Sequence, residues 1–119
     1  MRALAAAAFL LAFAVTDALA ARHGNRQLWG AIAYSSKTGS FGYAVDKRTK
    51  RDAETEAFSQ CGSNCDLIRT FRDACGAVAA KPNRISSDTG ASREIVEMKA
   101  LKKCGGGCTV KVWACTSEK

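Results

Sequence analysis

Two short cysteine loops constrain this chain more than any other feature. Cys61-Gly-Ser-Asn-Cys65 and Cys104-Gly-Gly-Gly-Cys108 are C-x3-C segments filled with turn-forming residues, 43 positions apart. The same offset places Thr49 on Ser92, Ala53 on Val96, Glu54 on Glu97, Ala57 on Ala100 and Phe58 on Leu101. Gly30-Ala31-Ile32-Ala33 returns as Gly76-Ala77-Val78-Ala79 at an offset of 46, and each half closes on one more cysteine, Cys75 or Cys115. Self-similarity at such a period marks a duplicated supersecondary unit.

The repeat also supplies the elements. Trp29–Tyr34 and Phe41–Val45 are short aromatic and aliphatic runs joined by a polar loop containing Gly39, which reads as a hairpin. Thr49 and Ser92 stand where helix N-caps belong. Ala53, Ala57, Phe58 and Cys61 keep the spacing of one helical face, as do Val96, Ala100, Leu101 and Cys104. Gly62 and Gly105 follow as helix stops, and Leu67–Phe71 and Thr109–Ala114 read as returning strands. The second hairpin is poorly marked, because Lys81–Gly90 contains Pro82, Asn83 and few strand formers. The predicted fold class is α+β: duplicated β-β-α-β units, a mainly antiparallel sheet and both helices on one face. Trp29, Tyr34, Phe41 and Tyr43 are expected on the hairpin's core face.

Six cysteines in a small exported domain read as three disulfides, although they permit many pairings. The symmetry favours Cys61–Cys65 and Cys104–Cys108 as local staples, with Cys75–Cys115 tying the halves together. The rival scheme pairs Cys65 or Cys108 with the half-terminal cysteines.

Export itself is read from the first residues. Arg2 precedes a 13-residue uncharged run from Ala3 to Val15, and Ala18-Leu19-Ala20 offers a cleavage site. The run is shorter than the roughly 20 residues of a membrane-spanning helix. Cleavage after about Ala20 would leave a tail (21–28), one duplicated domain (29–116, halves about 29–75 and 76–115) and a short end (117–119). The expected location is periplasmic or secreted, with no stable membrane insertion. Arg2 and Asp17 leave together, so the mature domain keeps the net charge of +7. Such a charge attracts anionic partners.

The residues from Trp29-Gly30-Ala31-Ile32-Ala33 through Phe41-Gly42-Tyr43, the helix ending in Cys61, Phe71…Cys75-Gly76-Ala77-Val78-Ala79 and the final Trp113-Ala114-Cys115 resemble a bacterial family. It is the exported domain of unknown function 4189, and the resemblance spans about Trp29 to Cys115. One departure stands out: Lys81-Pro82-Asn83-Arg84-Ile85 replaces the aromatic or glycine-rich strand usual after the second Gly-Ala-Val-Ala. The family carries no catalytic residues over to this sequence.

The chemistry is sparse. C-x3-C pairs formally suit zinc, but in an oxidising compartment they are disulfides, and no metal or cofactor is expected. The first cysteine of each pair ends a helix, whereas redox C-x-x-C cysteines sit at helix N-termini. The sole histidine, His23, lies in the tail, and no nucleophile motif occurs. Glu54 and Glu97 read as helix-dipole partners rather than as a catalytic pair. Gly105-Gly106-Gly107 reads as a flexible loop more than as an anion cradle. The strongest candidate surface is the basic run Lys47, Arg48, Lys50 and Arg51, with Lys37 on the hairpin loop. The chain therefore reads as a non-enzymatic exported interaction module for an anionic envelope polymer or a protein; nucleic acid is not expected. A small secreted hydrolase on an anionic substrate and an inhibitor of an exported enzyme are the alternatives.

Overall fold

A computed structural model describes residues 27–117. The signal sequence expected through Ala20 and most of the adjoining tail lie outside the described residues. Two strands, β1 (Trp29–Tyr34) and β2 (Phe41–Lys47), lead into helix α1 (Lys50–Cys61) and strand β3 (Asp66–Arg72). The second copy is β4 (Cys75–Lys81), β5 (Arg84–Gly90), α2 (Arg93–Cys104) and β6 (Thr109–Cys115). The duplicated β-β-α-β reading holds.

Each copy builds its own antiparallel sheet, in the orders β2-β1-β3 and β5-β4-β6. The central strands explain how the sheets assemble. Alternate residues of a strand face opposite ways, and β1 sends Ala31 and Ala33 toward α1 while Ile32 and Tyr34 point to the other sheet. In β4, Ala77 and Ala79 meet α2, while Val78 and Ala80 join Ile32, Tyr34, Phe71, Val112 and Ala114 between the sheets. The molecule is thus layered helix, sheet, sheet, helix. One detail of the sequence reading is corrected: the helices cover the outer faces of two sheets, not one face of a single sheet. The cause is that Gly-Ala-Ile-Ala and Gly-Ala-Val-Ala are apolar on both faces, so each central strand is buried twice.

The two helices start and stop alike. Thr49 Oγ1 accepts the Asp52 N–H at 3.0 Å, and Ser92 Oγ accepts the Ile95 N–H at 3.3 Å. Gly62 and Gly105 end them at φ 93° and 95°, with their N–H groups on the carbonyls of Phe58 and Leu101. Two residues on, Asn64 and Gly107 also take positive φ, 67° and 86°. The triple glycine therefore repeats a loop geometry in which the first and third positions are left-handed and Gly106 matches Ser63. Gly62 and Gly105 have ψ near 180°, a region essentially reserved for glycine. Gly105→Ala is expected to cost about 1–3 kcal/mol, although a Cβ there would meet nothing within 4 Å. Gly106→Ser should be nearly neutral. Denaturant unfolding of the two variants would check this contrast.

The strand β5 forms in full despite its polar sequence. Ser86 Oγ donates to the Ala100 carbonyl at 2.7 Å, and Asp88 sits between Lys99 Nζ (3.6 Å) and Lys103 Nζ (3.3 Å). The helix α2 thus holds β5 by polar contacts rather than by an apolar face. Loss of hydration alone would raise the Asp88 carboxyl. The Thr89 N–H, the hydrogen bond and charge of Lys103 and the charge of Lys99 outweigh it and hold the group below the ordinary carboxylate range. Its contribution is therefore complete above the unfolded aspartate value of about 3.9 and fades as pH falls through the lower folded value. Asp88→Asn should lower Tm at neutral pH, with the gap to wild type closing in acid. Both lysines are half exposed, so the effect is about 1 kcal/mol or less.

The structure joins Cys61 to Cys65, Cys104 to Cys108 and Cys75 to Cys115. The long bridge has a different role from the one expected. Cys75 opens β4 and Cys115 closes β6, and they are cross-strand neighbours in one sheet. The bridge closes the second copy on itself. Its counterpart in the first copy is the Trp29–Arg72 pair, where the guanidinium lies 5.5 Å from the indole centroid. The halves meet through packing and terminal hydrogen bonds instead. Ser117 N–H donates to Asp46 Oδ1 across the halves, while Leu28 N–H donates to Asp73 Oδ1 within the first copy, so both residues, assigned by sequence to tails, are tied to the domain.

Candidate binding groove

The stacking of the two sheets creates two lateral seams that the repeat makes equivalent. At one, β3 faces β5; at the other, β2 faces β6. The first seam is closed. Arg69 Nε donates to Ser87 Oγ at 3.0 Å and its Nη2 to the Ser87 carbonyl at 3.1 Å. At the second seam the matching residues are Val112 and Tyr43, judged by their pairing with Val78 and Ile32. They cannot form that bridge.

Phe71 accounts for the rest of the asymmetry. It pairs with Gly30, and its ring also lies over Gly76 of the other sheet. A Cβ on Gly30 would fall 2.4 Å from the ring, and one on Gly76 2.8 Å. One ring thus fills the centre between the copies, and the repeat-equivalent residue opposite Gly76 is Ala114. Small Ala114 and Val112 leave an open groove of about 400 Å³ at the second seam, lined by Phe41, Tyr43, Val45 and Lys111–Cys115. Phe41 and Tyr43, expected in the core, are 46 % and 44 % exposed there. Trp113 is 39 % exposed, with the Arg93 guanidinium 4.0 Å from its ring centroid. Lys111 also lines a second cavity of about 220 Å³ beside Tyr34, Ala80 and Ile85.

The strand edges differ in the same way. On β2, the Tyr43 N–H is capped by Gln60 Oε1 at 3.2 Å. On β5, the Ser87 carbonyl accepts from Arg69 and Lys103, and the Thr89 carbonyl from Lys99 at 2.8 Å. Among the described residues no side chain caps the outer edges of β3 or β6. Of these two, β6 alone borders the groove.

The basic cluster read from the sequence does not stay together. Lys37 lies in the β1–β2 turn and Lys47 is the last residue of β2, so nearly the whole strand separates them, about 20 Å at strand spacing. Lys47 Nζ is paired with Glu56 Oε1. Arg48, Lys50 and Arg51 remain exposed together at the start of α1, with no ion pair among the described residues. Glu54 and Glu97 sit on opposite outer helices; Glu54 accepts from Thr70 Oγ1 and Glu97 pairs with Arg93. No group of three potential metal ligands occurs among the described residues. The groove itself had no local signal in the sequence, since its walls come from residues about 70 positions apart.

A duplicated, disulfide-stapled α+β domain with one closed seam and one open seam is the class that this geometry defines. The family model described as a domain of unknown function (DUF4189) matches residues 29–115, and the chain belongs to that family. The chain is 40% identical over 89 residues to Protein Rv1269c of Mycobacterium tuberculosis and to Protein Mb1300c of Mycobacterium bovis, covering 74% of this chain and 69% of each relative. The NMR structure of Rv1813c from Mycobacterium tuberculosis is similar at a TM-score of 0.59 and 34% identity, over 74% of both chains. Neither the family nor these relatives' names indicate an enzymatic activity. The three disulfides suit an oxidising environment such as exported proteins meet. Among the described residues no helix is long and apolar enough to cross a membrane.

Proposed function

We propose that this protein is an exported, non-enzymatic binding module of the periplasm or extracellular space, and that it engages its partner through the β2–β6 groove. The observation that carries this reading is the exposure of Phe41 and Tyr43 in a groove that the equivalent seam closes, with Trp113 at its rim on the α2 side of β6. Exposed aromatic residues in a concavity lose water on binding and dominate recognition energetics. The charge of +7 favours an anionic partner. Lys111 lines the groove and, with Lys81, the adjoining cavity, and these cations would raise the rate of encounter.

The test is an NMR titration of the oxidised protein with polygalacturonate and with an acidic peptide, as representatives of anionic polymers and proteins. Shifts should cluster at Phe41, Tyr43, Val45 and Trp113, and Tyr43→Ala with Trp113→Ala should remove them while leaving the fold intact. Perturbation confined to the α1 basic face, with the groove silent for both probes, would defeat this reading.

A further inference from the structure

We infer that the groove is a site of strand addition, in which an extended acidic segment of a partner protein pairs with the free edge of β6. This deepens the proposed function and rests on its assignment of the groove as the binding surface. Three observations converge on a peptide rather than a sugar polymer. First, β6 is an edge strand, pairing only with β4, so alternate N–H and C=O groups point into the open seam. Second, the edges of β2 and β5 are capped by Gln60, Arg69, Lys99 and Lys103, whereas β6 has no cap and lines the groove. Third, Phe41, Tyr43 and Val45 stand at every second position of the facing strand, the spacing at which an added strand presents side chains.

Charge decides between a second copy of this chain and an acidic partner. Lys111 occupies a bulge in β6, where Val110 and Val112 pair with consecutive residues Ala79 and Val78. A lysine at a bulged edge is a common guard against edge-to-edge self-association. Antiparallel pairing of two β6 edges would bring two Lys111 side chains into one seam, between two molecules of charge +7. A carboxylate from the added strand reverses that penalty at the same position. The partner segment is therefore extended, with apolar side chains toward Phe41 and Tyr43 and an acidic one near Lys111.

The experiment uses the oxidised protein and a capped octapeptide of alternating Glu and Val, with the Lys-Val peptide as charge control. Binding is followed by NMR, and hydrogen exchange of the β6 amides is recorded. The Glu-Val peptide should slow exchange of the outward-facing β6 amides, and the Lys-Val peptide should not bind. Lys111→Glu, an exposed substitution, should weaken binding about tenfold with Tm unchanged. Backbone N-methylation supplies the sharpest outcome: methyl groups on residues of one parity should abolish binding, while those of the other parity should be tolerated. Binding that ignores methylation parity, or that leaves β6 exchange unchanged, overturns strand addition. Polygalacturonate binding at Tyr43 and Trp113 without peptide binding would overturn it too, yet leave the groove as the recognition surface. Silence of the groove toward both probes would remove both readings.

Discussion

Phe71→Ala is expected to destabilise the oxidised domain by about 3–5 kcal/mol, measured by denaturant unfolding. The ring is 4 % exposed and belongs to the cluster between the sheets. Its loss removes burial and also leaves a cavity, and the two terms add. The cavity would be slow to collapse, because its walls are the backbones of Gly30 and Gly76 in two different sheets. Those glycines have no side chains with which to fill it. Total stabilities of small domains are about 5–15 kcal/mol, so this variant should be near the limit of folding at 37 °C. Phe71→Leu retains much of the buried volume and should cost distinctly less. A loss under about 1.5 kcal/mol for the alanine variant would mean that the halves repack without the ring.

How much of this was visible in the sequence depends on whether the cause is local. The caps at Thr49 and Ser92, the glycine stops and the C-x3-C staples all depend on residues within one or two turns of each other, and they occur twice. The strand β5 was obscure because its support comes from the Ala100 carbonyl, Lys99 and Lys103. No alternation of apolar residues can announce a strand held that way. The Lys37 and Lys47 grouping failed for the converse reason: ten positions in sequence became the two ends of a strand. The role of Cys75 was misread because it looked like the end of the first copy, whereas its pairing with Cys115 makes it the start of the second.

The groove was the least legible feature. Its existence depends on substitutions between equivalent positions, Arg69 for Val112, Ser87 for Tyr43 and Phe71 for Ala114. Arg69 and Val112, like Phe71 and Ala114, keep the offset of 43, but Ser87 stands 44 positions from Tyr43, and only the strand registers show which of these residues meet across a seam. A fixed offset of 43 aligns the helices and misaligns parts of the strands. The duplication thus gave the scaffold, and its imperfection gave the candidate site.

The second large effect concerns the long bridge. Replacing Cys75 and Cys115 together by alanine is expected to cost about 4 kcal/mol in chain-entropy terms, against about 2 kcal/mol for either short staple. The difference follows from the loops closed: a sequence separation of 40 against one of 4. Location adds a second consequence. In the first copy the equivalent strand ends are held by Trp29 and Arg72, a cation–π contact worth about 1 kcal/mol, so the duplicated unit does not require a covalent bond to form. The variant should therefore fold at reduced stability rather than fail outright. Its losses should concentrate where the bridge acted, at the outer ends of β4 and β6. Native-state hydrogen exchange would show Ala114 and Cys75-side amides losing protection before those of β1 and β3. Because β6 is also the proposed docking edge, the same variant should bind the Glu-Val peptide more weakly, as part of the binding energy goes to ordering the strand. Equal loss of protection in both copies would instead mean that the bridge stabilises the whole domain only through the unfolded chain.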